Sequence, residues 1–136
     1  MVVKRKKIVV DTNVFISGIL FRGKPGQIIE LVYLEKVHNV ISRSILTELQ
    51  ENLLKKFKFS EEMAVAIENQ ILEVSQLVLP KITINALKNN NPDNRVLETA
   101  VAGKCDHIIT GDKELLKLAH YRSVRIVTPD DFLKSP

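Results

Sequence analysis

The chain has 136 residues, 45% hydrophobic and 26% charged, a soluble globular composition long enough to bury a core as one domain over residues 1–136. Lys and Arg number 20 against 16 Asp and Glu, a net charge of +4, which suits a polyanionic substrate without requiring one. The single cysteine, Cys105, excludes an internal disulfide and a cysteine-based zinc site; no apolar run reads as a signal peptide or membrane span, so a cytoplasmic location is expected.

The first predicted strand covers residues 7–11, an apolar run closed by Asp11. A short helix follows, then a loop that begins at Arg22 and closes at Pro25 and Gly26, then a helix over 27–36. A strand over 38–42 leads into a helix over 44–57. Ser60, with Glu61 and Glu62 behind it, supplies a cap and dipole-compatible charge for a helix predicted over 61–79. Residues 81–84 form a weaker strand, followed by a helix over 94–103, a strand over 106–110, a helix over 112–118 and a strand over 124–127. Thr128-Pro129-Asp130 reads as a strand exit into a last helix with Pro129 in its first turn. Strands alternating with helices predict parallel pairing through right-handed crossovers, hence a three-layer α/β/α sandwich with a small sheet of four or five strands.

Four acids sit where these elements hand over to one another: Asp11, Glu48, Asp93 and Asp112. In open parallel sheets ligands bind beyond the carboxyl ends of the strands, where crossovers diverge. If the 7–11 and 106–110 strands are neighbours, Asp11, Asp93 and Asp112 meet there. Glu48 borders the apolar stripe Ile45, Leu46, Leu49 and Leu53, whereas Glu51 projects to the opposite face at about 100° per residue. Each pair of carboxylates held ~5 Å apart at an effective dielectric of ~20 repels by about 3 kcal/mol. A divalent cation relieves this, and oxygen-only ligands favour Mg²⁺ or Mn²⁺. Such ions serve in-line phosphodiester hydrolysis. Asn13, Ser42 and Thr110 are polar residues placed to support the acids, with Ser42 also a candidate cap for the helix carrying Glu48.

Each acid alone has a plainer reading: Asp93 and Asp112 as helix caps, Glu48 as a solvated residue, Asp11 as a hydrogen-bonded strand end. Gly18 to Lys24 matches the spacing of a phosphate-binding loop, but Pro25 stands where that loop needs a hydroxyl; a helix end and turn explain it better. His38, His107 and His120 share no metal-ligand spacing. The scattered basic residues, Arg95 among them, mostly read as a solvated face, while Arg22 and Lys24 are expected to contact substrate phosphates.

The segments VVDTNVFISGIL, VISRSILTELQENL, PDNRVLETAVAGKCDHIITGDKELL and VRIVTPDDFL occur in an order that resembles PIN-domain nucleases, in the branch of prokaryotic toxin–antitoxin toxins. The resemblance implies Mg²⁺- or Mn²⁺-dependent endoribonuclease activity on RNA, with Asp11, Glu48, Asp93 and Asp112 as catalytic and metal residues and Asn13, Ser42 and Thr110 in support. It also implies a homodimer and inhibition by a small antitoxin. One departure is Asn90, where relatives often carry a further acid. Two other readings stay open on the residues: a phosphatase with Asp11 as nucleophile, and a non-catalytic metal- or partner-binding α/β module.

Overall fold

A computed structural model describes residues 4–89 and 91–134; Asn90, the point of departure from the family pattern, lies outside them. Strand β1, Lys7–Val10, and strands β2 (His38–Ser42) and β4 (His107–Ile109) carry buried apolar residues, Ile8 to Val10, Val40 with Ile41, and Ile108 with Ile109, as parallel central strands require. Between them run helices α1 (Thr12–Leu20), α2 (Gly23–Tyr33), α3 (Arg43–Lys55), α4 (Glu61–Glu73) and α5 (Asn94–Ala102). Strand β3 is Ser75–Val78, and the chain ends in α6 (Lys113–Leu118), β5 (His120–Tyr121), β6 (Val124–Val127) and α7 (Pro129–Lys134).

Among the described residues the sheet has 6 strands in the order β3-β2-β1-β4-β6-β5. All pairs are parallel except β5 with β6. The chain winds outward from β1 through β2 to β3, then crosses back to place β4 on the other side of β1. The strand order therefore reverses between β1 and β4, as the neighbouring-strand expectation required. Helices α1 to α4 pack on one another and α5 packs against β1, β2 and β4, giving the expected helix–sheet–helix layers.

Several boundaries differ from expectation. The helix predicted to reach residue 79 stops at Glu73 because residues 75–78 pair with β2, Asn39 opposite Ser75 and Ser42 opposite Val78. Side chains reinforce that register: Asn39 Nδ2 donates to Ser75 Oγ at 2.8 Å, and His38 Nε2 lies 2.8 Å from Gln76 Oε1. The weaker strand over 81–84 is irregular chain instead. Strand β5 was not foreseen; it forms by a two-residue reversal in which Arg122 has φ 53. Pro25 and Gly26 lie in the first turn of α2 rather than in a loop, a position Pro tolerates because the N–H it lacks would be unsatisfied there.

Other signals hold. Ser60 Oγ caps α4 by accepting from Met63 N at 3.1 Å, and Thr128 Oγ1 accepts from Asp131 N at 3.1 Å as α7 begins. Cys105 is buried, and burial pushes its thiol up to about 12, the profile of an unreactive core residue. No helix among the described residues is long and apolar enough to cross a membrane.

Candidate active site

Register builds the site. Val10 pairs with Ile109 and Ile109 with Val127, so the next residues along, Asp11, Thr110 and Thr128, lie side by side at the carboxyl ends of their strands. The ladder continues one step: Asp11 N donates to the Ile109 carbonyl at 3.0 Å and Thr110 N to the Val127 carbonyl at 2.9 Å. Extending the β1–β2 register, in which Lys7 faces His38, puts Ser42 on the other flank of Asp11. The carboxyl edge of an otherwise apolar sheet is thus a row of Ser42, Asp11, Thr110 and Thr128. Of these, Ser42, Asp11 and Thr110 are buried.

Asp11 stands at the N-cap position of α1 but does not cap it with its side chain. Its Oδ2 accepts from Thr110 Oγ1 at 2.8 Å, and the Thr110 hydroxyl accepts in turn from Asp112 N at 3.0 Å. This relay fixes both the Asp11 carboxylate and the turn that presents Asp112. Burial raises the Asp11 pKa; the Thr110 hydroxyl and the Thr12 N–H oppose the shift, while Glu48 and Asp112 add to it. Asp112 Oδ1 caps α6 through Glu114 N at 2.9 Å and Leu115 N at 3.1 Å. The capping role and the place beside Asp11 coexist in this residue.

Asp93 occupies the N-cap position of α5 without capping it. It is half-buried, and its carboxyl is pushed up to about 7 by burial first, then by Asp11 and Asp112, with a hydrogen bond to Asp112 and the charge of Glu48 adding to the rise. Glu48 is half-buried on α3, beside the buried stripe Ile45, Leu46, Leu49 and Leu53, while Glu51 is exposed. Thr12 Oγ1 donates to Glu48 Oε2 at 3.3 Å, tying α3 to the start of α1. All four predicted acids therefore share one electrostatic neighbourhood.

Among the described residues no three acidic, histidine or cysteine side chains close around a point as a ready-made cage. An all-oxygen set of mutually repelling carboxylates, two of them with raised pKa, still fits Mg²⁺ or Mn²⁺, since Mg²⁺ keeps several waters and takes one or two carboxylates directly.

The supporting residues divide. Asn13 is exposed and lines, with Val14, Ser17, Pro25 and Lys113, a cavity of about 530 Å³ beside Asp112. Thr110 braces Asp11 as expected. Ser42 does not cap α3; its side chain meets Thr99 instead. Thr99 Oγ1 lies 2.7 Å from Ser42 Oγ and 2.8 Å from the Arg95 carbonyl. A hydroxyl has one proton and a carbonyl only accepts, so Thr99 donates to Arg95 and accepts from Ser42. Arg22 lines a separate cavity between α2 and α4, and Lys24 Nζ lies 3.9 Å from Asp130.

Sequence reasoning missed the tether behind Asp93. Asn94, fully buried, accepts from Leu87 N at 2.9 Å and donates to the Leu87 carbonyl at 3.0 Å. Glu98 accepts from Ile84 N at 2.9 Å and pairs with Arg95 at 2.9 Å, while Arg95 also reaches the Ile84 carbonyl at 3.3 Å. Arg95 is thus a structural residue and not part of a solvated face. The signal available was the run of polar residues, Asn94 and Glu98, spaced four apart and so on one face of a helix otherwise apolar there. Asn94→Ala would leave both Leu87 groups buried without partners. A loss of about 2–3 kcal/mol in urea unfolding is expected, and an unchanged midpoint would refute the tether.

A parallel sheet whose reversal point gathers four acids defines an α/β domain built around an acidic edge. The chain belongs to the PIN domain family, whose family model matches residues 7–114. It is 32% identical over 141 aligned positions to the uncharacterized protein MJ1680 of Methanocaldococcus jannaschii, covering 94% of this chain and 90% of that one. It is also similar to a chain in a crystal structure of VapBC2 from Rickettsia felis bound to a DNA fragment from their promoter. That match has TM-score 0.62 and 15% identity and covers 88% of this chain and 96% of the other, a likeness of fold.

Proposed function

We propose that this protein is a Mg²⁺- or Mn²⁺-dependent endoribonuclease that hydrolyses RNA phosphodiester bonds, with Asp11, Glu48, Asp93 and Asp112 as its catalytic and metal-holding residues. PIN domains are generally nucleases. The observation that carries the reading is the placement of Asp11, Glu48, Asp93 and Asp112 around the reversal point of the sheet. A bound divalent ion supplies water activation and stabilisation of the leaving alkoxide. The protein's own contribution is placement. The Thr110 hydroxyl holds the Asp11 carboxylate in one orientation, and the Thr12 hydroxyl holds Glu48 toward the same edge. Burial and the neighbouring acids push the Asp93 carboxyl up to about 7, and a bound cation would favour its ionised form.

The same reading makes the protein a cytoplasmic toxin, a homodimer restrained by a small antitoxin. The sequence resemblance supports the dimer and the antitoxin, and the shared fold with a chain of the VapBC2 assembly supports the partner. The direct experiment is incubation with a mixed RNA pool in Mg²⁺, Mn²⁺ or EDTA. Metal-dependent fragmentation is expected, and tight metal binding without cleavage of any RNA would return the case to a non-catalytic module. Arg22 and Lys24 are the proposed phosphate contacts. Converting both to Glu should weaken RNA binding and flatten its dependence on salt, by a slope of about 1 for each lost contact. An unchanged slope removes them from the site.

A further inference from the structure

The face of α1 that leads away from the acidic edge carries features the hydrolysis does not use. Asp11 stands at the start of this helix and Phe21 is its C-cap, with Phe21 N bonded to the Ser17 carbonyl at 2.8 Å. At about 100° per residue, Asn13, Ser17 and Phe21 fall at about 0°, 40° and 80° around the axis, within the arc from Asn13 to Val14. Asn13, Val14 and Ser17 all line the cavity that Asp112 and Lys113 share. Phe21 therefore ends a track that begins at the acids, about 12 Å along the axis from Asn13. At 77% exposure it is the most exposed large apolar side chain among the described residues.

The corner that holds this ring is locked. Arg22 has φ 62 and ψ −117, a conformation that residues with a Cβ avoid and that persists where function demands it. A Cβ on Gly18 would stand 2.5 Å from Ile29 Cγ1 and 2.9 Å from the Pro25 carbonyl oxygen, so α1 and α2 meet too closely for the turn to drift. Next in the chain Arg22, Gly23 and Lys24 are all exposed. An exposed aromatic ring followed directly in the chain by the exposed cations Arg22 and Lys24 is the pairing of stacking face and positive charge that single-stranded nucleic acid uses.

We infer that Phe21 is a stacking platform for an unpaired base of the RNA strand whose scissile phosphate lies at Asp11, with Lys113 and Lys24 along the intervening backbone. The inference rests on the nuclease reading and assigns to Phe21 the binding of one unpaired base beside the cleavage site. A duplex keeps its base faces occupied and offers the ring nothing to stack on.

The test uses the Asp11→Asn protein with Mg²⁺ present, so that binding is read without cutting, and a short fluorescent single-stranded RNA. Adding Phe21→Ala should weaken binding about 5- to 150-fold, the range for one base–aromatic stack, and Phe21→Trp should restore it. An abasic nucleotide at one position should weaken binding to the Phe21 protein by a similar factor and to the Phe21→Ala protein far less. Equal losses from abasic sites in both proteins, at every position, would overturn the platform. So would unchanged RNA affinity in a Phe21→Ala protein that has turned from dimer to monomer, since Phe21 would then be a contact between copies. Failure of the unsubstituted protein to cut any RNA would count against the nuclease reading, separately from the abasic pattern.

Discussion

Asp11→Asn should lower metal-dependent RNA cleavage by roughly 10³-fold or more while leaving the fold intact. The substitution is isosteric and retains one oxygen to accept from the Thr110 hydroxyl that now lies 2.8 Å from Oδ2. What it removes is charge. Asp11 is 3% exposed, with burial and the nearby Glu48 and Asp112 all raising its pKa, so the ionised form is costly in the metal-free protein. A neutral amide escapes that cost, and thermal unfolding without metal should occur at equal or higher temperature, by an amount on the order of 1 kcal/mol. Cleavage assays and melting curves on the same preparations decide the matter. Undiminished cleavage would remove Asp11 from the chemistry. Lost cleavage together with lost folding would show that the residue is structural.

The legibility of this site had a physical basis. A carboxylate that closes an apolar strand needs partners, which made Asp11 harder to read as a plain strand end, although only the combination of the four acids pointed to a site. Thr110 was readable as a support for the acids because it stands two residues before Asp112, and the strand register brings it beside Asp11. Glu48 and Glu51 could be separated by helical geometry, and the structure makes the first half-buried and the second exposed. Asp112 shows why a plain reading and a functional one need not compete. Its oxygen caps α6, and that same bond fixes its carboxylate beside Asp11.

What could not be read depended on partners distant in the chain. Thr99 meets Ser42 across 57 positions, and no local pattern marks a mid-helix threonine as the acceptor that draws Ser42 away from capping α3. Thr12 was passed over although it follows Asp11 directly, because its hydroxyl is defined by Glu48 on another helix. Residues 75–78 followed a helical period into Leu79, and only the unpaired edge of β2 makes them a strand. The two-residue strand β5 depends likewise on β6, with a positive φ at Arg122 where no glycine or asparagine signals a reversal.

The second large effect expected is a coupling of stability, pH and metal. The Asp93 carboxyl rises from an ordinary 3.8 to about 7 in the fold, so the folded state binds a proton that the unfolded state releases over that interval. Its contribution to stability is fully present below about 3.8 and is lost as pH rises through about 7; Asp11 shifts in the same direction. His107 opposes them, because burial lowers its pKa below 6.5 and so favours the fold as pH rises toward that value. The difference between the parent protein and Asp93→Asn isolates the carboxylate. Without metal the parent should lose stability relative to Asp93→Asn between pH 5 and pH 8, by about 1–2 kcal/mol after solvent screening of this half-exposed group, read from melting curves. Mg²⁺ near 100 times its Kd should then return about 2.7 kcal/mol at pH 8, roughly 10 °C in melting temperature. At pH 5, where protons already neutralise the edge, it should return far less. A Mg²⁺ shift of equal size at both values would mean that the ion binds elsewhere on the protein, and that these carboxylates tolerate one another by some means other than a cation.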